Sequence, residues 1–442
     1  MNYNIFDRTA PAMPKPSKGT EFCKLLLSQA SKEMRDPLVP MAIPALSAHL
    51  TDVEFKYCDN KYYELCGQMG HLIGPSGIGK AQLTHLIEAI MRPFREHDET
   101  EYKKLVDWQR QVKTRGANKE KPERPDVSFW FPPANLTNAA FLQNAMALEK
   151  MGNRTQYLNL PEVEMADHIC GGHKAVSQMI RNIYDRQRAG ALRATADGVT
   201  GNPILRANLT FSSTPISTRQ YYKNDLFNGT FGRMVFSYKA RVGRDGKIPR
   251  QGKYSDEFYH KLDDYLVRLD ICKGRHVIHP LNKLADHLAA DMATLADLTD
   301  DDVLWDCSKR SLVSAWKCGC ILWVLNGQSW TRPMSELVEW LVYRDLWSKM
   351  QIYADLLNRD ADVISEAQRR GPKNMLDSLP NSFNRAQLEA LRSQLGKSQE
   401  GAAGQLRLWI FRGFITYDEQ TTLYTKTQAY LNNVPTQKPK KA

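Results

Sequence analysis

The stretch "LIGPSGIGKAQL", Leu72 to Leu83, decides the fold. Gly74, Gly79 and Lys80 stand at the G-x-x-x-x-G-K spacing of a phosphate-binding loop. The apolar "HLI" before it reads as a strand. The segment after it reads as a helix, with Leu83, Leu86, Ile87, Ile90 and Met91 recurring at helical spacing. In that setting the loop comprises Gly74, Pro75, Ser76, Gly77, Ile78, Gly79, Lys80 and Ala81. Its backbone N–H groups cradle phosphate oxygens at a helix N-terminus, and Lys80 reaches the β- and γ-phosphates of ATP. One position departs from the pattern. Ala81 stands where Ser or Thr normally offers a hydroxyl to Mg2+.

Working outward, "DVSFWFPP" (126–133), "TQYLNLPEVEM" (155–165), "NPILRANLTFSSTP" (202–215) and "GTFGRMVFSYKAR" (229–241) read as further strands. Helical stretches such as "NAAFLQNAMALEKM" and "AVSQMIRNIYDRQRAGAL" separate them. This alternation predicts an α/β core over about 42–250 with a mainly parallel sheet. A catalytic partner for Lys80 belongs on the tip of a neighbouring strand, and "YLNLPEVEM" is the best candidate. There Glu162 is the water-activating base, Glu164 shares its work, and Pro161 replaces the usual magnesium-steadying Asp. The alternative is that both are ordinary strand-end carboxylates. Ser212, Ser213 and Thr214 in "LTFSSTP" offer a polar sensor for the attacking water. Arg233 in "NGTFGRM" is either an arginine finger for a neighbouring subunit or the partner of a nearby carboxylate.

Residues 1–41 read as an arm interrupted by prolines at 11, 14, 16, 37 and 40. After the Gly/Arg-rich joint "RVGRDGKIPRQGKY" the pattern turns helical, giving a helical domain over 251–365. The segment 366–430 has another grammar: short helices, a helix over about 400–412, a stop at Gly413, and the alternating "FITYDEQTTLYTKT". Helix–turn–helix followed by a hairpin is the order of a winged helix. Its third helix carries Gln405, Arg407 and Arg412 toward DNA, unless the module packs against protein instead. The end, 431–442, reads as a basic disordered tail.

The whole composition agrees with a soluble globular chain: 442 residues, 42% hydrophobic, 25% charged. No apolar run is long enough for a membrane span and no signal core opens the chain, so a cytoplasmic location is expected. A formal net charge of +11 suits an anionic partner, most often nucleic acid. The basic stretch 103–124 is either a solvated helix end or part of such a contact. The eight cysteines include no C-x-x-C pair and read as reduced, buried thiols. "HICGGH", with His168, Cys170 and His173, is too small a cluster to predict a metal.

"PALSAHL", "GPSGIGK", "NLPEVEMAD", "RATADGVTGNP" and "NGTFGRMVFSYKAR", in this order, resemble a family of helicase-like P-loop proteins encoded on bacterial mobile genetic elements, often beside primases. The resemblance covers about 40–430. It implies a RecA- or AAA-like ATPase core, with Gly74, Gly79 and Lys80 in the phosphate loop, Glu162 at the acidic strand end and Arg233 as the late arginine. No primase domain precedes the loop. Two functions follow as expectations: an ATP-driven DNA motor or replication initiator working as a homo-oligomer, or a slowly hydrolysing, nucleotide-switched DNA-binding regulator or loader. A small-molecule kinase leaves the C-terminal half without a purpose.

Overall fold

The structure, a computed structural model, describes residues 3–433 except 8, 59–61, 66, 116–121, 171–172, 193–198, 224–228, 241–249, 300–301 and 369–374. The described strands are β1 (Val53–Lys56), β2 (Tyr63–Leu65), β3 (Met69–Ile73), β4 (Gln156–Leu160), β5 (Ala207–Ser213), β6 (Val235–Tyr238), β7 (Gly274–His276), β8 (Ser382–Phe383), β9 (Ile415–Asp418) and β10 (Leu423–Lys426). Four of them form a parallel sheet in the order β4-β5-β3-β6. The chain is therefore mixed α/β with a parallel core sheet and many helices. Because all four strands run the same way, Leu160, Ser213, Ile73 and Tyr238 end at one edge.

One face of this sheet is covered by the helix Arg35–Ala48, which packs on all four strands. Every residue from Pro37 to Ala48 is buried. Gly70 lets the helix approach: a Cβ there would lie 3.1 Å from both Sδ and Cε of Met41. Asn208 on β5 locks the contact, donating to Pro44 O at 3.0 Å and to Ser47 Oγ at 2.5 Å. The expected boundary at residue 42 thus falls inside a helix. Pro37, in its first turn, removes an N–H that has no intrahelical acceptor anyway, whereas Pro40 and Pro44 stand inside the helix. The preceding arm is also packed. Trp340 Nε1 donates to Pro11 O and Trp347 Nε1 to Asp7 O.

The expected strand over 126–133 belongs to no ladder and bends at Trp130 and Phe131. Side chains take the place of a partner strand: Asp98 accepts from Trp130 N and Phe131 N, Glu101 from Ser128 N, and Asn144 from Phe129 N. A single backbone bond, Tyr157 N to Trp130 O, ties it to β4. A small mixed sheet, β2-β1-β7, joins the chain before the core to the chain after it.

The helices Asp256–Ile271, His279–Thr299, Asp302–Leu325 and Arg332–Gln368 follow, and the first and third of them pack on the helix Arg35–Ala48. The fourth closes the sheet edge at β6 with side chains. Asp345 accepts from Phe236 N at 2.7 Å, Ser348 Oγ from Tyr238 N at 3.1 Å, and Arg344 donates to Tyr238 O at 2.8 Å. Asp345 also accepts from Lys349 Nζ at 2.6 Å and Ser311 Oγ at 2.5 Å, all three residues being buried. Beyond residue 375, β8, β10 and β9 form an antiparallel sheet in that order, with the helices Arg385–Gln394 and Ala402–Phe411 between β8 and β9. Asp345→Ala leaves the Lys349 ammonium buried without its carboxylate, so unfolding in urea is expected to require about 3–5 kcal/mol less. A loss under 1 kcal/mol would remove Asp345 from this role.

Candidate functional site at the carboxyl edge of the sheet

The loop 74–80 leaves β3 between its two neighbours. Gly74 N donates to Ser213 O at 3.1 Å on the β5 side, and Lys239 N donates to Ile73 O at 2.8 Å on the β6 side. The loop turns back on itself through Gly77 and Gly79, whose φ values of +79° and +92° are costly for residues with a Cβ. The helix Ala81–Ile90 then starts at once, leaving its first N–H groups and partial positive charge at the loop. Lys80 folds into the mouth, its Nζ donating to Gly74 O at 2.7 Å and Pro75 O at 3.3 Å. Burial lowers its pKa. Ala81 is the exposed first residue of the helix.

The acidic strand end lies one place further off than expected, because β5 occupies the position between β3 and β4. Leu160 pairs with Phe211, and the chain then turns through exposed Pro161 and Glu162. Glu164 accepts a hydrogen bond from Ser217 Oγ, which binds the β4 tip to the helix Pro215–Tyr222 that follows β5.

The three expected sensor hydroxyls separate. Thr214 caps that helix, accepting from Ser217 N. Ser213 is buried between His71 Nε2 and Thr218 Oγ1, while His71 Nδ1 faces Tyr222 OH. Thr218 donates its one hydroxyl proton to Thr214 O. Ser213 therefore donates to Thr218 and accepts from His71 Nε2–H, which leaves Nδ1 to accept from Tyr222. The hydroxyl of Ser213 is spent inside the fold. Ser212, one residue back, alternates to the opposite face of the strand.

Arg233 stands at the other end of the sheet. Val235 pairs with Gly70, so Arg233 lies six strand positions from Gly74, on the order of 20 Å away. It donates to both carboxylate oxygens of Asp185, at 3.3 and 2.7 Å, and to Gly229 O. The helix Ala402–Phe411 packs against His279–Thr299. Gln405, expected to face DNA, is buried, its side-chain oxygen accepting from Arg392. Arg407 is exposed and Arg412 half-buried at the helix end. On the helix Arg92–Thr114, Lys103, Arg110 and Lys113 are exposed. The side chains of His168, Cys170 and His173 lie outside the described residues, as does 434–442. Among the described residues no group of three or more His, Cys, Asp or Glu is placed to hold a metal, and no helix is long and apolar enough to cross a membrane. The cysteines at 23, 58, 272, 307, 318 and 320 are thiols, and all of these but Cys58 are buried.

His71, Ser217 and Lys239 escaped the reading of the sequence. Only the strand order brings Lys239 beside Gly74. No protein-family model matches the chain, and comparison with curated proteins gives no significant match.

Burial pushes the pKa of His71 down to about 3. Between that value and the unfolded value near 6.5, the unfolded chain binds the extra proton. The contribution of His71 is therefore complete above pH 6.5 and is lost as pH falls toward 3, at about 1.4 kcal/mol per pH unit. Urea unfolding at pH 7.5 and 5.0 should show His71→Leu losing about 2 kcal/mol less than the unaltered chain between the two conditions. Equal losses would refute this.

Proposed function

We propose that this chain is an ATP-dependent, DNA-acting protein with a RecA- or AAA-like P-loop core and a winged-helix-like C-terminal module. One observation carries the reading. A glycine loop with a lysine folded into its mouth stands at the carboxyl edge of a parallel sheet, at the start of a helix, where such sheets bind their ligands. Two topologies support it. A hydroxyl-tipped strand lies between the loop strand and the acidic strand, as in many ATPases of this class. The strand order β8-β10-β9, with two helices inserted after β8, is that of a winged helix.

In this reading the loop N–H groups and the Lys80 ammonium bind the triphosphate, and Glu162, exposed on the β4 tip, orients water. Glu164 and Ser217 keep that tip against β5. The donors fit phosphate better than they fit magnesium: Ala81 has no hydroxyl and Pro161 no carboxylate, so Glu162 and Glu164 are the carboxylates that the expected set offers. Bound Mg2+ would neutralise phosphate charge. Arg233 is too far from its own loop to act there. It reaches a phosphate only across a subunit interface in a homo-oligomer such as a ring, after leaving Asp185. DNA is met by Arg407 and by the basic face of the helix Arg92–Thr114. A separate primase of the same mobile element is a partner that the family resemblance suggests.

The missing oxygens at 81 and 161 favour the second reading, a slow nucleotide switch that regulates or loads. ATP turnover with and without single-stranded DNA separates the two. In the motor reading DNA stimulates turnover, and Lys80→Ala lowers it by about a hundredfold or more. Tight ATP binding without turnover selects the switch, and no ATP binding rejects both. For DNA, Arg407→Ala is expected to weaken binding on all sequences and reduce the salt slope by about 1. An unchanged slope would place the contact elsewhere.

A further inference from the structure

We propose that Lys239 is a second lysine of the phosphate site, reaching the phosphates of a bound nucleoside triphosphate from the β6 side of the loop. The proposal rests on reading 74–80 as a triphosphate loop. Lys239 is the first residue beyond β6, on the flank of β3 opposite β5. Its N–H donates to Ile73 O at 2.8 Å, and its own carbonyl oxygen lies 3.6 Å from where a Cβ of Gly74 would stand. Its backbone therefore rests against the first residue of the loop. Lys80 Nζ donates to the carbonyl of that same glycine. The two lysines bracket Gly74, and the four-carbon stem of a lysine is long enough to carry the Lys239 ammonium over the loop.

Electrostatics favour an incoming anion here. Lys239 is half-buried, and no acceptor among the described residues takes a hydrogen bond from its ammonium. Burial lowers its pKa and the charge of Arg344 lowers it further, with Asp36 and Glu33 acting in the opposite sense. Arg344 itself is 2% exposed. Its Nη2 donates to Tyr238 O at 2.8 Å, holding the strand tip that carries Lys239, while Nε and Nη1 meet no acceptor among the described residues. Burial lowers its pKa to about 10. A partly dehydrated ammonium beside a second buried cation gains more from a phosphate oxygen than a fully hydrated one, because the local dielectric is low and part of its hydration is already lost.

Calorimetric binding of ATP and of inorganic tripolyphosphate to the full chain tests this, using Lys239→Met, Lys239→Arg and Lys80→Ala. Lys239→Met is expected to weaken both ligands by about tenfold or more, as for loss of a charge-assisted hydrogen bond. Lys239→Arg, which keeps the charge, should retain binding to within about threefold of the unaltered chain. If Lys80→Ala loses ATP while Lys239→Met binds both ligands normally, the proposal fails and the phosphate loop stands. Weakening of ATP without weakening of tripolyphosphate also overturns it, since the contact is then not to phosphate. If the unaltered chain binds neither ligand, the loop reading itself falls.

Discussion

A parallel sheet that stops at four strands has two open edges, here β4 and β6. At β6 the outward N–H and C=O groups would otherwise offer a template for another strand. The long helix Arg332–Gln368 disposes of that edge with side chains, one donor or acceptor at a time. Asp345 serves Phe236, while Ser348 and Arg344 serve the two backbone groups of Tyr238. Helices seldom cover an edge in this way, because burying a carboxylate is costly unless it is paired and hydrogen-bonded. Lys349 and Ser311 meet that requirement. The helical layer is thereby fastened to the strand that flanks the loop, so the position of the loop depends on polar contacts made more than a hundred residues later.

The same economy governs the carboxyl edge. Hydroxyl and carboxylate side chains gather there, yet most already have partners within the fold. Ser213 belongs to the chain of hydrogen bonds through His71, Thr214 to a helix cap, and Glu164 to Ser217. Glu162 and the outer turn of the loop remain turned to solvent. The helix Pro215–Tyr222 connects this edge to the helical layer, with Arg219 Nε donating to Ile352 O and Tyr353 OH to Thr218 O.

Local signals carried a good part of this arrangement. The loop, the helix after it, the strands at 156–160, 207–213 and 235–238, the helical region and the final hairpin all announce themselves by spacing and by glycine. Features that depend on distant partners stayed hidden. Residues 126–133 have the apolar character of a strand, but Asp98, Glu101 and Asn144 took the backbone groups that a ladder would have used. Val53 gives no hint of its pairing with Gly274. Gln405 looks like a surface amide on a recognition helix, and only Arg392 on the preceding helix explains why it is buried. Strand order is the largest such omission, since periodicity along one segment carries no information about its neighbour.

The helix Arg35–Ala48 emerges from the ribosome long before most of what covers it; only β3 and the helix Ala81–Ile90 follow closely. Its twelve consecutive buried residues await strands that end at residue 238, and the carbonyls of Asp7 and Pro11 await Trp347 and Trp340. During synthesis an apolar segment of this length is exposed while two further hundreds of residues are made, at about 5–20 residues per second. The sheet is completed only by β6, so its covering helix is a piece made early in a core finished late.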